Sequence, residues 1–380
     1  MQHGRHKWSA LILTALAAAV VLTTGAQFRQ MHRDEVIVPG PGVTQTRMLS
    51  DYFPAMAGTT GDTEVYILDG EEPGATAFVL GGTHPNEPSG LMAAVILVER
   101  AQVKAGRLIV VPRGNRSGFT HNDPQEGSPQ YFTLTASDGS ARTFRFGSRA
   151  TNPLDQWPDP DTYINPSGQK LSGSENRNLN RAYPGRPDGT HTERVAYAIM
   201  ELIREENADV SVDLHEASPE YPVIHAIVAH EGAEDLAAMT VMDLDMEDIR
   251  MRLEKSPPTF YGLSHREWGD HSDTMAVLME TANPSQGRLR GRTDEALVLT
   301  GRDALYVRAA ELGRLYVPYD DEGHPLEERV GRHLSSLAAL FWNMEFVGDG
   351  EPFVIEEVPS FDEVMANGVG YYLNPAPAWD

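Results

Sequence analysis

No cysteine occurs in this 380-residue chain, which excludes a disulfide framework, a thiolate nucleophile and a lipidated cysteine near the N-terminus. Any metal must then be held by nitrogen and oxygen donors, a set that suits zinc best. Positive charge is also scarce: 31 Lys and Arg stand against 55 Asp and Glu, a formal net charge of −24. A field of that sign repels phosphate, so nucleic acid and anionic lipid are excluded as partners. An anionic small molecule would need a local basic pocket. The sequence has no internal repeat, and it does not fix an oligomeric state.

What is present begins with one long apolar run. Arg5 and Lys7 precede the uncharged segment Ser9 to Ala26, rich in Ala, Leu and Val, which closes on Thr23-Thr24-Gly25-Ala26. That order is the pattern of an export signal, and the run is also long enough to span a bilayer. Residues 1–26 therefore read as a signal peptide or an N-terminal membrane anchor, with a tether through 9–26 in the second case. Either way the body is expected to be exported, to the periplasm or another extracytoplasmic space. Residues 27–62 read as a polar lead-in, 63–346 as the main domain with an insertion at 117–175, and 347–380 as an acidic tail anchored by Tyr371-Tyr372 and Trp379.

Hydrophobic patterning predicts strands over 64–68, 76–80 and 107–111, with a helix from Pro88 between the last two. That βαβ unit implies an α/β fold with a mixed, mainly parallel sheet flanked by helices. A hairpin is predicted around Asp138-Gly139 inside the insertion. Further strands are predicted over 209–214, 223–228 and 274–279. Helices are predicted around 195–203, over 233–253, across 294–315, and on the spacing of Val330, Leu334, Leu337 and Phe341.

Three segments carry the chemistry: Gly81-Gly82-Thr83-His84-Pro85-Asn86-Glu87, Val212-Asp213-Leu214-His215-Glu216, and Val277-Leu278-Met279-Glu280. Each apolar run is expected to deliver its His or Glu at a strand end, where open α/β sheets place their sites. His84 and Glu87 are three apart and His215 is distant. Two imidazoles and one carboxylate leave a coordination position open, as a catalytic zinc site requires. Asp213 and Glu216 flank His215 and are placed to orient its ring. Asn180-Arg181 offers a planar fork and an amide donor to a carboxylate-bearing substrate. Glu280, at the rim of a buried strand, is the candidate general base.

Taken in order, His84-x-x-Glu87, Asn180-Arg181, Asp213-Leu214-His215-Glu216 and Glu280 resemble the succinylglutamate desuccinylase and aspartoacylase family of the zinc carboxypeptidase-like superfamily. The resemblance covers roughly residues 63–283. It implies one zinc ion on His84, Glu87 and His215, a substrate carboxylate on Asn180 and Arg181, and water activation by Glu280. It also implies an arginine that polarises the scissile carbonyl, for which Arg177, Arg116 and Arg113 are candidates. Pro85 stands where such proteins commonly have Gly, and Asn178 where they commonly have Asp. The expected activity is zinc-dependent hydrolysis of an N-acyl amino acid or related carboxylate-bearing amide. The alternatives are a zinc carboxypeptidase acting on peptides or cell-wall peptides, and a non-catalytic binding module on the same scaffold.

Overall fold

The computed structural model describes residues 2–123, 127–348 and 350–376. Helix α1, Gln2–Gln30, precedes strands β1 (Gln45–Met48), β2 (Glu64–Asp69) and β3 (Glu72–Leu80), helix α2 (Pro88–Arg100) and strand β4 (Gln102–Val111). The insertion carries two hairpins, β5 (Tyr131–Thr135) with β6 (Ala141–Arg145) and β7 (Thr162–Ile164) with β8 (Lys170–Ser172). Then follow α3 (His191–Glu205), β9 (Val210–Ala217), β10 (Ala226–Ala229), α4 (Glu234–Met246), β11 (Arg252–Lys255), α5 (Ser264–His271) and β12 (Met275–Ala282). The chain closes with α6 (Glu295–Thr300), α7 (Ala304–Glu311), α8 (Leu326–Asn343), β13 (Val354–Glu356) and α9 (Phe361–Asn367).

Among the described residues, nine strands form one mixed sheet in the order β1-β2-β4-β3-β9-β12-β10-β11, with β13 added on β4. Its centre, β4-β3-β9-β12, is parallel throughout. Because side chains alternate across a strand, the central strands supply two cores. Val79, Val110, Val212 and Val277 are buried with α2, α4 and α8, whereas Phe78, Leu80, Ile109, Val111 and Ala276 are buried with α3 and Trp268 of α5. Burying each such side chain contributes roughly 1.5–3 kcal/mol, so this two-sided packing is what holds the central strands in register.

Several elements differ from their sequence expectation. The helix predicted over 233–253 ends at Met246, where Asp248 takes a φ of 60°. Arg252 N then donates to His225 O at 2.7 Å, and β11 joins the sheet parallel to β10. The predicted helix across 294–315 is two helices, because Gly301 closes α6 in the left-handed region and Asp303 caps α7. Strands β9 and β12 run on to Ala217 and Ala282, so His215 and Glu280 lie within strands and not at their ends.

The acidic C-terminal segment is built into the body: β13 pairs antiparallel with β4, and Val364, Val369 and Leu373 are fully buried. Tyr371 is half exposed, Tyr372 accepts from Arg100 Nε at 2.8 Å through its carbonyl, and Trp379 lies outside the described residues. The lead-in is tied down as well. Buried Glu99 on α2 accepts from Val38 N at 3.0 Å, from Asn374 N at 2.6 Å and from both terminal nitrogens of Arg142 at 2.8 and 3.1 Å. One carboxylate thus joins lead-in, insertion and C-terminal segment to α2. Helix α1 stands apart: it is exposed, and His6–Gln30 is long and apolar enough to cross a membrane.

Candidate metal centre

His84 follows β3 in a turn that closes with Glu87 N donating to His84 O at 2.9 Å. This turn places Glu87 just before Pro88, the first residue of α2. His215 comes from β9, the next strand of the sheet. All three side chains are buried, and one donor atom from each lies within 4.8 Å of the others. His84 Nδ1 is 2.8 Å from Glu87 Oε1 and His215 Nδ1 is 2.9 Å from Glu87 Oε2.

The far nitrogen of each ring decides what those short contacts mean. His84 Nε2 lies 2.9 Å from Asn178 Oδ1, an oxygen that also accepts from Asn180 N at 3.0 Å. An amide oxygen only accepts, so Nε2 carries the proton and Nδ1 presents a lone pair. His215 Nε2 lies 2.8 Å from Asp213 Oδ2, which fixes its ring in the same way. Asp213 is itself held by Thr83 Oγ1 at 2.7 Å and Ser264 Oγ at 2.5 Å.

Burial foremost, then the nearby Arg149 cation, pushes His84 down to about 4, so that ring is neutral at pH 7. Burial opposes charge on His215 too, but Asp213 and Glu87 hold it well above its ordinary value. Burial would raise the Glu87 carboxyl, yet the two imidazoles hold it well below the usual range. With Nε2 engaged by Asn178, His84 Nδ1 turns toward Glu87 Oε1 at 2.8 Å, an arrangement that suits a cation held by both. The donor set fits a divalent ion with both rings oriented from behind.

Glu280 is brought to the same point by register. It is the cross-strand partner of His215 on adjacent parallel strands and of Ala226 on the other side. Alternation along β12 turns Leu278 and Glu280 into the cavity while Val277 and Met279 enter the core. Burial raises the Glu280 carboxyl to about 8, with His215 opposing and Glu87 assisting, and its enclosed Oε2 has no hydrogen-bond partner. On β9 the same alternation sends the Glu216 side chain away from the site, while its backbone N donates to Glu87 Oε2 at 3.0 Å. Its carboxylate meets Arg329 of α8 at 2.7 Å on the opposite face of the sheet, so it orients no ring.

The cavity over these residues has a volume of about 390 Å³, and its wall includes Arg149, Arg181, Tyr221, Phe260 and Leu278. Arg181 lines it, donating to Asn180 O at 2.6 Å. The Asn180 side chain accepts from Ser264 N at 2.8 Å, while its amide nitrogen stays 3.4 Å from His215 Nε2.

None of the three arginines considered for the carbonyl lines the cavity. Arg177 spends its fork on Asp159 at 2.8 and 3.0 Å and on Thr151 O at 2.9 Å. Arg116 is clamped by Asp34 and donates to Asp62 O, and Arg113 is paired with Asp34, Glu35 and Glu64. Each is saturated by carboxylates in the lead-in, the insertion or β2, partners that sequence distance hid.

Among the cations in the cavity wall, Arg149 is the one paired with a metal-donor residue: it is 40% exposed and 3.5 Å from Glu87 Oε1. Its turn docks through Gly147, whose N donates to Pro85 O at 3.1 Å. A Cβ on Gly147 would fall 2.4 Å from Gly118 O and 2.6 Å from Pro85 Cβ. Pro85 is thus the floor on which the insertion sits. No local motif marks Arg149, which is one of three arginines, with Arg142 and Arg145, inside the irregular insertion.

Fold and donor set together define a mixed α/β protein with a buried His-Glu-His site able to hold one divalent ion. No protein-family model and no curated protein matches the chain. Among solved structures, it is similar to the product-bound ectoine utilization protein EutE (DoeB) from Ruegeria pomeroyi, at 22% identity over 60% of this chain and 55% of that one, TM-score 0.38. It is also similar to a succinylglutamate desuccinylase/aspartoacylase from Rhodobacter sphaeroides, at 20% identity over 58% and 51%, TM-score 0.36. The tripeptide-bound cell shape determinant Csd4 from Helicobacter pylori matches at 13% identity over 80% and 59%, TM-score 0.46. The chain spans 51–59% of the length of these three structures.

Proposed function

We propose that this chain is an exported, zinc-dependent amidohydrolase of the succinylglutamate desuccinylase/aspartoacylase type that cleaves an N-acyl amino acid or related carboxylate-bearing amide. The observation that carries the reading is the convergence of His84 Nδ1, Glu87 and His215 Nδ1 at one point, in the same cavity as Glu280, whose enclosed Oε2 has no hydrogen-bond partner. His84, Glu87 and His215 would hold the ion, which when bound supplies Lewis acidity toward a carbonyl and toward water. Glu280 takes the proton of the attacking water and returns it to the leaving amine, a task that suits a carboxyl raised by burial. Arg149, rather than Arg177 or Arg116, faces the oxygen that gains charge in the transition state. Arg181 receives the substrate carboxylate, and the Asn180 amide nitrogen borders the same space. The exposed apolar helix α1 supports export, either as a cleaved signal or as a tether to the membrane.

The test is zinc content together with hydrolysis of a panel of N-acyl amino acids and short peptides, each with a free or an amidated terminal carboxylate. We expect about one equivalent of zinc at this site, turnover on free carboxylates, and loss of turnover on amidation. A cavity of about 390 Å³ also admits a short peptide, so selective cleavage of C-terminal residues would move the assignment to a carboxypeptidase. Absence of both zinc and turnover would leave only the binding-module reading.

A further inference from the structure

A second cluster of metal-donor side chains, sharing no residue with the first, lies between the start of β10 and the N-terminus of α8. His225, His324 and Glu328 each offer a donor atom within 4.8 Å of the others. His324 Nε2 lies 3.0 Å from Pro318 O, an acceptor only, so that nitrogen carries a proton and the ring is oriented from behind. Its Nδ1 lies 2.7 Å from Glu328 Oε2. The other carboxylate oxygen, Oε1, accepts from Arg332 Nη2 at 2.8 Å, and Arg332 is fixed in turn by Arg250 O at 2.9 Å.

An ion pair between a protonated His324 and Glu328 would explain those two residues. It does not explain His225. The Nε2 of His225 is enclosed and has no hydrogen-bond partner, and it lies 4.0 Å from Glu328 Oε1. The residue holds a φ of 44°, a left-handed conformation uncommon outside glycine, while its carbonyl is pinned by Arg252 N. Backbone and packing thus direct an unpaired imidazole nitrogen toward a carboxylate that a second imidazole already faces.

We infer that His225 Nε2, His324 Nδ1 and Glu328 form a second divalent-cation site, of the nitrogen-and-oxygen type that takes zinc. Arg332 acts on it indirectly, by holding the Glu328 carboxylate so that Oε2 remains turned to His324. Zinc bonds of about 2.0–2.1 Å require only small side-chain shifts from the distances given. An ion there ties the segment ending at His225 to the first turns of α8. Because Tyr221 and Val223 of that segment line the catalytic cavity, the site braces one of its walls.

The test uses the full-length chain in detergent, loaded with zinc, dialysed against a weak chelator and analysed for metal per chain. Two equivalents are expected in the wild type, one in His225→Gln, one in His84→Gln and none in the double variant. Equal zinc in wild type and His225→Gln overturns the proposal. Loss of zinc in His225→Gln but not in His84→Gln upholds this site and removes the first, so the two readings fail separately. Should His225→Gln not fold, Co²⁺ titration of His84→Gln decides: ligand-field bands saturating at one equivalent support the site, and a featureless spectrum overturns it.

Discussion

At the scale of single residues, the site depends on two groups whose neighbours set their charge. As the proposed base, Glu280 must be deprotonated, and burial first, then the Glu87 carboxylate, pushes it up to about 8 against the pull of His215. A cation on the adjacent donors favours the carboxylate and brings that value down. The rate kcat/KM should therefore rise with pH along an acid limb whose midpoint lies below 8. Glu280→Gln should keep its zinc, lose about 10²–10⁴-fold in kcat and show no such limb; near-normal turnover would remove Glu280 from the mechanism. Arg149→Ala should lower kcat by about 10²–10³-fold with zinc unchanged and KM little affected, and Arg149→Lys should recover part of the loss. A pure rise in KM would make Arg149 a substrate anchor instead.

At the scale of elements, two alternations and one docking contact assemble the site. Along β9, His215 lines the cavity with Asp213 behind its ring while the Glu216 carboxylate meets Arg329 of α8, and along β12 the same period turns Glu280 inward. The insertion contributes Arg149 only because Gly147 lies against Pro85 and Gly118 with no room for a side chain. Gly147→Val should displace that turn and reproduce the kinetic defect of Arg149→Ala while zinc stays bound. Combining the two substitutions should cost little more than either alone, since both remove the same interaction. Additive losses would show that the turn and the guanidinium act separately.

At the scale of the whole molecule, the buried Glu99 carboxylate on α2 ties the lead-in, insertion and C-terminal segment together, beside the pairing of β13 with β4. Removing one partner of a buried ion pair leaves the other uncompensated, at a cost of about 3–5 kcal/mol. Glu99→Ala should accordingly lower the thermal midpoint by many degrees in one concerted transition seen by both circular dichroism and tryptophan fluorescence. An early, separate transition confined to a subset of the signal would show instead that the C-terminal segment and lead-in unfold independently. Helix α1 has no part in this coupling, being exposed along its apolar length.

The sequence by itself determined the β3-α2-β4 unit, because apolar strands and a Pro-led helix with buried Leu91, Ala94 and Val98 carry their periods locally. It also singled out the candidate donor residues, since His84 and Glu87 share one turn and His215 follows an apolar run. What only the tertiary structure decided was every long-range pairing. The facing of Glu280 and His215 is a matter of register between strands that the chain does not make adjacent. That Arg177 and Arg116 lie outside the cavity wall goes with the carboxylates of Asp159 and Asp34 that fold onto them. The entry of Arg149 requires an insertion to land on Pro85. Local periodicity encodes which face of an element is buried; which charged groups then meet is set by packing between elements far apart in the chain.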